Sequence, residues 1–207
     1  MLALIKSIFI YEMDIEQFDF LEYFGQYGYD KNRNFVPFYG NHGQDLFGNF
    51  WILPKKISYA GIKANNLETL YHAAKFSDLT LSPSRRLIAW SDLIKKQFNN
   101  LLPLAAFYLS RKYKNDIRPD WHNVKDNVML DLLRIKFKKP LYALVLLSTG
   151  SRYLVEHTPV KGRDNYWSDD HDGSGQNKLG KLLMVVRSEL FGTGIVAKPN
   201  DYLQWVS

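Results

Sequence analysis

The stretch from Trp167 to Arg187, WSDDHDGSGQNKLGKLLMVVR, constrains this chain most because it joins an acidic, glycine-rich bend to an apolar helical pattern. Gly173 and Gly175 allow a tight turn and a close backbone approach to a ligand. Apolar residues recur at helical spacing from Leu179 onward, which predicts a loop over 175–181 that leads into an amphipathic helix. Amides at such a helix start are typical of phosphate sites. A surface loop before a core helix explains the same residues equally well.

Two ligand-binding motifs almost match this stretch and are excluded. The GxxxxGK spacing of a P-loop is present, but Leu182 occupies the position where a Ser or Thr holds magnesium. An EF-hand with Gly173 at its sixth position would place Leu179 where a bidentate Glu belongs. The stretch therefore predicts neither a P-loop nor a calcium site.

Length and composition predict one globular domain with extensions, since 207 residues can bury a core and 46% of them are apolar. The absence of cysteine excludes disulfides and cysteine zinc sites, and the five histidines lack metal-ligand spacing, so we predict no metal and no cofactor. The formal charge of +6 favours anionic partners such as nucleotides or nucleic acid. No run predicts a secretory core or a membrane span, so we expect a cytoplasmic protein without a membrane partner.

The chain divides into an N-terminal extension over 1–34, a main domain over 35–190 and a C-terminal tail over 191–207. Residues 35–51 interleave aromatics with glycines and predict irregular backbone, which either lines a pocket or packs under the core. Periodicity and turn residues predict a short strand or hairpin over 52–62, a strand at 153–155, and helices at 65–76, 84–98, 101–113, 119–137 and 179–190. The fold class is therefore α+β, predominantly helical, with a small β component.

The helix predicted to start after Asn65 or Asn66 carries a polar stripe beside its apolar one, which comprises Leu67, Leu70, Tyr71 and Ala74. Glu68, His72 and Lys75 are spaced i, i+4 and i+7, so they share one face. A carboxylate and an ammonium on this face could point into a cleft. An ordinary solvated face with a weak ion pair is the alternative.

Six blocks of this chain resemble the NADAR family, which is named for its association with NAD and ADP-ribose and includes the YbiA-like N-glycosidases. The resemblance covers roughly residues 35–190. The blocks occur in the family's order and are FY at 38–39, FGNF at 47–50, ETLYHAAKF at 68–76, DWHNVKDNVMLDLLRIKF at 120–137, LLSTGSRYLVEHTP at 146–159, and the 167–187 stretch. The resemblance implies a single compact YbiA-like domain.

This chain departs from the family's pattern near the bend. Ser168 and Asp170 replace two glycines of the family's WGxG turn, and His72 replaces a glutamine. Residues 161–165 resemble a small insertion before Tyr166. The departures at 168 and 170 bear directly on activity and substrate range.

The resemblance implies hydrolysis of an N-glycosidic bond between a phosphorylated ribose and a nitrogenous base. Family members cleave ribosylaminopyrimidine intermediates of riboflavin synthesis, and others remove ADP-ribose from guanine bases in nucleic acid. The implied partner is thus a small nucleotide or ADP-ribosylated guanine in nucleic acid, with a paired ADP-ribosyltransferase as a further candidate. Oligomeric state stays open.

Cleaving a C1–N bond creates an oxocarbenium-like ribose, which requires a carboxylate near C1, a donor for the departing base, and binding groups for phosphate and base. We assign Glu68 as that carboxylate and Asp169, with Asp172 as its substitute, to the ribose hydroxyls or the acid/base work. Lys75 is expected to pair with Glu68 or to contact sugar or phosphate. The expected substrate-binding residues are Tyr39, Asn49, Phe50, Trp121, Trp167, Gly173, Gly175, Asn177 and Lys181.

Two other functions stay open at this stage. A non-catalytic NAD or ADP-ribose reader would use the same pocket without cleaving, and the altered WSDD turn motivates it. A nucleic-acid-binding protein would use the basic run Arg111, Lys112 and Lys114, although no RNP, helix-turn-helix or zinc signature supports it.

Overall fold

The computed structural model describes residues 32–39, 45–77 and 85–192, with the backbone alone for 85–90. Most of the extension over 1–34 and of the tail over 191–207 therefore lies outside the described residues. The described strands are β1 (Phe35–Phe38), β2 (Ile57–Tyr59), β3 (Ile62–Ala64) and β4 (Tyr153–Glu156). The described helices are α1 (Leu67–Ala74), α2 (Arg85–Lys96), α3 (Pro103–Lys112), α4 (Trp121–Phe137), α5 (Pro140–Ser148) and α6 (Lys178–Phe191), with a 3₁₀ turn at Lys114–Asp116. The helix-rich α+β class is confirmed.

The first strand pairs in parallel with the last one, although paired residues such as Phe35 and Tyr153 are far apart in the chain. Phe35 lies opposite Tyr153, and Phe38 lies opposite Glu156. All four residues of β1 are buried, so the strand lacks the apolar and polar alternation that identifies a half-buried strand. The sequence-based prediction of irregular backbone at 35–51 is wrong for this segment. The carboxyl ends of both strands meet at one edge of the sheet.

The second sheet is an antiparallel hairpin that begins later than the sequence predicts. Ile57 pairs with Ala64, and Tyr59 pairs with Ile62. Ala60 and Gly61 form the connection with positive φ angles of 50° and 81°. Positive φ at both central positions matches the twist of the flanking strands, so a two-residue turn suffices.

The C-terminal helix α6 packs against α4, α5 and β4, and it closes the core around the parallel strands. Gly180 lies so close to the Leu154 carbonyl that a β-carbon there would overlap it. Leu179, Leu183 and Val186 are buried along the apolar stripe that the sequence predicts. Each such side chain contributes about 1.5–3 kcal/mol by burial, so the stripe fixes α6 on β4.

In the part of the chain that the structure describes, no helix has both the length and the apolar character needed to span a membrane.

Candidate active site

The start of α1 is fixed by two asparagines. Asn66 caps the helix, since its Oδ1 accepts a hydrogen bond from the Thr69 amide at 2.8 Å. The Asn49 carbonyl accepts the amides of Leu67 and Glu68, both at 3.1 Å. The chain around Asn49 therefore sets the position from which Glu68 projects.

Glu68 is held by the histidine one turn along α1. His72 Nε2 lies 2.8 Å from Glu68 Oε1, and the side chains are only 6% and 13% exposed, respectively. Burial lowers the pKa of His72, although the neighbouring Glu68 carboxylate opposes this effect. A neutral imidazole that donates from Nε2 agrees with this arrangement, because Nδ1 has no hydrogen-bond partner in the described part of the chain. This face of α1 is therefore enclosed, not solvated.

Lys75 continues the same face and lies among aromatic rings. Its Nζ is 5.6 Å from the centre of the Tyr71 ring and 5.7 Å from that of Trp121. The Tyr71 ring lies 5.0 Å from Trp121 and 5.5 Å from Trp167. Burial lowers the pKa of Lys75 to about 8, against the opposing influence of Glu68. The aromatic contacts thus bring the bend to α1.

The bend before α6 is organised by two aspartates. Asp164 Oδ1 accepts the amides of Tyr166 at 3.0 Å and Trp167 at 2.8 Å, which orients the Trp167 ring toward α1. Asp169 is fully buried, and its Oδ2 lies 2.6 Å from Nδ1 of His157. Its Oδ1 accepts the amides of Thr158 and His171. Asp169 therefore binds the bend to the end of β4.

Three carboxylates from different parts of the chain lie near enough to one another beside β4 for their charges to interact. Burial raises the pKa of Glu156 well above its usual value, and repulsion from Asp164 and Glu68 adds to the effect. Burial also raises the pKa of Asp164, with repulsion from Glu68 contributing. Glu156 Oε2 is shielded from solvent and has no hydrogen-bond partner among the described residues. The Glu68 side chain thus shares one site with Glu156 and Asp164.

The loop after β1 adds polar and aromatic groups to this site. Burial raises the pKa of Tyr39, while Arg163 opposes the effect and the negative charges of Glu156 and Asp164 reinforce it, so the Tyr39 ring lies near both carboxylates. Asn49 is buried, and its Oδ1 has no hydrogen-bond partner among the described residues. Phe50, the next residue, is half-buried.

Several amides at the start of α6 and in the bend are already bonded within the fold. The Lys178 and Leu179 amides donate to the carbonyls of Tyr166 and Trp167 at 3.2 and 3.1 Å. The Gly175 amide donates to the Asp169 carbonyl at 2.9 Å. The phosphate site that the sequence suggests at this helix start is therefore occupied by the backbone of the bend itself.

Asn177 serves the fold in place of a ligand. Its Oδ1 accepts the Glu156 amide at 3.0 Å, and its Nδ2 donates to the Tyr153 hydroxyl and the Leu154 carbonyl, both at 2.9 Å. The residue is 3% exposed. All the polar atoms of the Asn177 side chain thus hold β4 in place and leave none for phosphate.

Asp172 and Lys181 lie on the surface. Asp172 forms an ion pair with Lys161 and accepts hydrogen bonds from the Ser174 amide and hydroxyl, and these contacts hold its pKa below the usual range. Lys181 is exposed in the first turn of α6. Gly173 adopts a φ of 81°, which a glycine tolerates without strain. The described contacts of Asp172 are with Lys161 and Ser174 and not with the carboxylates around Glu68.

The structure therefore gathers Glu68, Lys75, Tyr39, Trp121 and Trp167 into one region. The Asn49 carbonyl, which accepts the Glu68 amide, adjoins this region, and Phe50 is the next residue in the chain. The site also includes residues that the sequence does not single out: Glu156, Asp164 and Tyr71. Tyr71 is predicted as part of the apolar stripe, and only the pairing of β1 with β4 places Glu156 beside Tyr39. Within the described ranges, no group of three or more His, Asp or Glu side chains has the arrangement of a metal site.

Comparison with known proteins identifies a domain family and named relatives that this chain resembles. The NADAR domain matches residues 37–191. N-glycosidase YbiA of Escherichia coli is 34% identical over 146 residues, which cover 70% of this chain and 80% of that protein. A riboflavin biosynthesis protein of Vibrio vulnificus is 36% identical over 152 residues, which cover 72% of this chain and 36% of that protein.

The fold agrees with a solved structure. The NMR structure of YbiA from E. coli superposes with a TM-score of 0.58 and 29% sequence identity, covering 76% of this chain and 84% of that one. This chain spans only about a third of the V. vulnificus protein, since the aligned part is 36% of its length. The matched domain and the YbiA alignment show that the chain belongs to the NADAR domain family.

Proposed function

We propose that this chain is an N-glycosidase that hydrolyses the C1–N bond between a phosphorylated ribose and a nitrogenous base. The names of its relatives, N-glycosidase and riboflavin biosynthesis protein, support this reaction class. Two substrates fit the proposal: ADP-ribosylated guanine and a ribosylaminopyrimidine phosphate. Both require loss of a base from C1 of a ribose that carries phosphate on its 5′ oxygen.

Glu68 is the residue to which we assign the central role. Positive charge develops at C1 as the bond to the base breaks, and a fixed carboxylate stabilises that charge or removes a proton from the attacking water. The hydrogen bond from His72 fixes the Glu68 side chain on α1, so little reorganisation is needed during the reaction. The neutral state of His72 leaves the negative charge of Glu68 uncompensated by that neighbour.

Glu156 supplies the complementary acid in this scheme. Its raised pKa favours the protonated form, and a protonated carboxyl can donate to the nitrogen of the departing base. Two carboxyl groups with different environments thereby divide the work of stabilising C1 and protonating the base. Asp169 has an indirect role in this scheme. It binds the side chain of His157, the residue that follows Glu156 in the sequence, and so positions the end of β4.

The aromatic residues and Lys75 form the remainder of the proposed site. Trp167 is half-buried and stands at the junction of the bend and α1, where its face can stack on a base. Trp121 is 7% exposed and packs beneath Tyr71, so it supports the site more than it covers a ligand. Lys75 places a cation next to Glu68, where it can contact the ribose.

The observation that carries the proposal is the convergence of Glu68 from α1 with Glu156 and Asp164 from the other end of the chain. The test incubates the protein with ADP-ribosylated guanosine and, separately, with a ribosylaminopyrimidine 5′-phosphate, and quantifies the released base. Glu68→Gln and Glu156→Gln are each expected to lower kcat by about 10²- to 10⁴-fold. Glu189→Gln is the control, because Glu189 is an exposed α6 residue that pairs with Arg134.

A second candidate function rests on the bend. Ser168 and Asp170 occupy positions where the family pattern has glycine, and Asp169 is engaged within the fold. A non-catalytic ADP-ribose reader would bind ADP-ribose and release no base from either substrate. Release on a catalytic scale that disappears in Glu68→Gln would exclude the reader, whereas full turnover by Glu68→Gln would refute the assignment of Glu68.

A further inference from the structure

The loop over 161–165 is bound to the bend by three side-chain contacts. The Gly162 amide donates to Asp170 Oδ1 at 2.7 Å. The Ser168 hydroxyl donates to the Asp164 carbonyl, and Lys161 forms an ion pair with Asp172. The bend therefore supports this loop at three points along its length.

Two of these contacts use the residues that depart from the family's turn. Glycine at 170 would have no side chain to accept the hydrogen bond from the Gly162 amide. Glycine at 168 would have no hydroxyl to donate to the Asp164 carbonyl. Asp170 keeps a φ of 58°, a conformation that glycine adopts readily and aspartate adopts at some cost. The loop over 161–165 thus forms one structural unit with Ser168 and Asp170.

This unit places Arg163 at the edge of the proposed site. The Arg163 guanidinium carbon lies 5.8 Å from the centre of the Tyr39 ring, and the positive charge influences the Tyr39 hydroxyl. Arg163 is exposed and forms no ion pair with any described carboxylate, although Asp164 is the next residue. Its fork of N–H donors is therefore open to a ligand.

We propose that Arg163 binds the phosphate of the phosphorylated ribose, and that the loop over 161–165 and the bend position it for this contact. This inference rests on the proposed function, because that function supplies the phosphorylated ligand. Guanidinium binds phosphate through two parallel hydrogen bonds, and stacking on Tyr39 restricts the side chain before the ligand arrives. The amides at the start of α6, which are the other candidate for phosphate, are bonded within the bend.

The test measures binding by calorimetry with ADP-ribose, ribose 5-phosphate and adenosine, which lacks phosphate. Arg163→Gln is expected to weaken the first two ligands by about 10- to 100-fold, the usual range for a hydrogen bond to a charged group, and to leave adenosine unchanged. Arg163→Lys should recover part of the loss. Lys96→Gln removes the same charge from the exposed last residue of α2 and is the matched control.

A second variant tests the support that the bend provides. Asp170→Gly suits the positive φ at this position, so the chain should still fold, but it removes the acceptor for Gly162. We expect it to weaken both phosphorylated ligands in the same direction as Arg163→Gln. The double variant should be less impaired than the product of the two single effects, because both act on one contact.

The outcomes separate this inference from the proposed function. If Arg163→Gln loses affinity equally for ribose 5-phosphate and ADP-ribose, Arg163 binds the phosphate next to the ribose. If it loses affinity for ADP-ribose alone, Arg163 binds the second phosphate. Unchanged affinity in Arg163→Gln, or an equal loss for adenosine, would overturn the inference while leaving the cleavage assays to decide the function. Arg163-dependent binding without any cleavage would support this contact and refute the N-glycosidase.

Discussion

Lys75 is the titratable cation of the site, and its surroundings determine the pH at which it is charged. The side chain is enclosed by Tyr71 and Trp121, and burial lowers its pKa to about 8. The ammonium form therefore predominates below about pH 8, and the neutral amine predominates above it. If Lys75 binds an anionic substrate, the affinity for that substrate therefore depends on pH.

We predict that affinity for ADP-ribose falls as the pH rises through about 8, because Lys75 loses its charge there. Phosphate groups stay ionised throughout a titration from pH 7 to pH 9.5, so the ligand itself contributes no change. Lys75→Arg should abolish the fall, since a guanidinium stays protonated in this range. Calorimetry at half-unit pH intervals measures the effect, and a flat wild-type profile would remove Lys75 from the binding site.

Sequence patterns locate Glu68 and Lys75 because Glu68 lies on α1 and Lys75 is its C-cap residue with helical backbone angles, so spacing alone fixes the shared face. Glu156 escapes such reasoning. It ends a four-residue strand, and it meets Glu68 through the pairing of β4 with β1 and through the bend, which are contacts between distant parts of the chain. The hydrogen bonds of Asn177 and of the first α6 amides escape such reasoning for a related reason, since their partners lie on other segments that no local pattern reveals.

At the scale of elements, Asn177 joins α6 to β4. It adopts a left-handed conformation with φ of 47°, and its side chain makes three hydrogen bonds to β4. Gly180, one turn later, allows the helix to approach the Leu154 carbonyl. Together these residues explain why the bend ends and α6 begins at this point.

We predict that Asn177→Ala lowers the free energy of unfolding by about 3–5 kcal/mol, because it removes three buried hydrogen bonds and places alanine in the left-handed region. Asn177→Gly removes the same hydrogen bonds but tolerates the backbone conformation, so its loss should be about 1 kcal/mol smaller. Urea unfolding measures both. Equal stability of the two variants would show that the conformation at 177 is not strained.

The elements themselves follow the sequence closely where periodicity is strong. Four of the predicted helices begin and end within two residues of α2, α3, α4 and α6, and the predicted N-cap is confirmed at Asn66. The strand β1 is missed because FVPF contains a proline and is buried throughout, so neither alternation nor composition identifies it. Parallel pairing with a strand so far along the chain leaves no local signature.

At the scale of the whole molecule, two buried charged residues, Lys136 on α4 and Asp45 after β1, bind the backbone near Asn49. Lys136 on α4 is fully buried, and its Nζ donates to the Gly48 carbonyl at 2.9 Å. Asp45 accepts the amides of Tyr39 at 2.7 Å and Phe47 at 2.9 Å. Burial lowers the pKa of Lys136 to about 7 and raises that of Asp45 to about 6, while the attraction between them opposes both effects. Asp45 and Lys136 thus hold the backbone at Tyr39, Phe47 and Gly48 by hydrogen bonds.

We predict that Lys136→Met lowers the free energy of unfolding by about 3 kcal/mol, because it leaves Asp45 buried without its countercharge. The double variant Asp45→Asn and Lys136→Met should lose less than the sum of the single losses, since both remove one interaction. Denaturant titration of the four proteins measures the coupling. Strictly additive losses would show that the two residues stabilise the molecule independently.

The central claim is that Glu68 stands beside C1 of a bound phosphorylated ribose. A crystal structure of the Glu68→Gln variant with ADP-ribosylated guanosine tests it most directly. We predict that C1 lies about 3–3.5 Å from the side chain of residue 68 or from a water molecule bound to it, with phosphate at Arg163. A ribose bound at the start of α6, beyond the reach of residue 68 even through a water molecule, would contradict it.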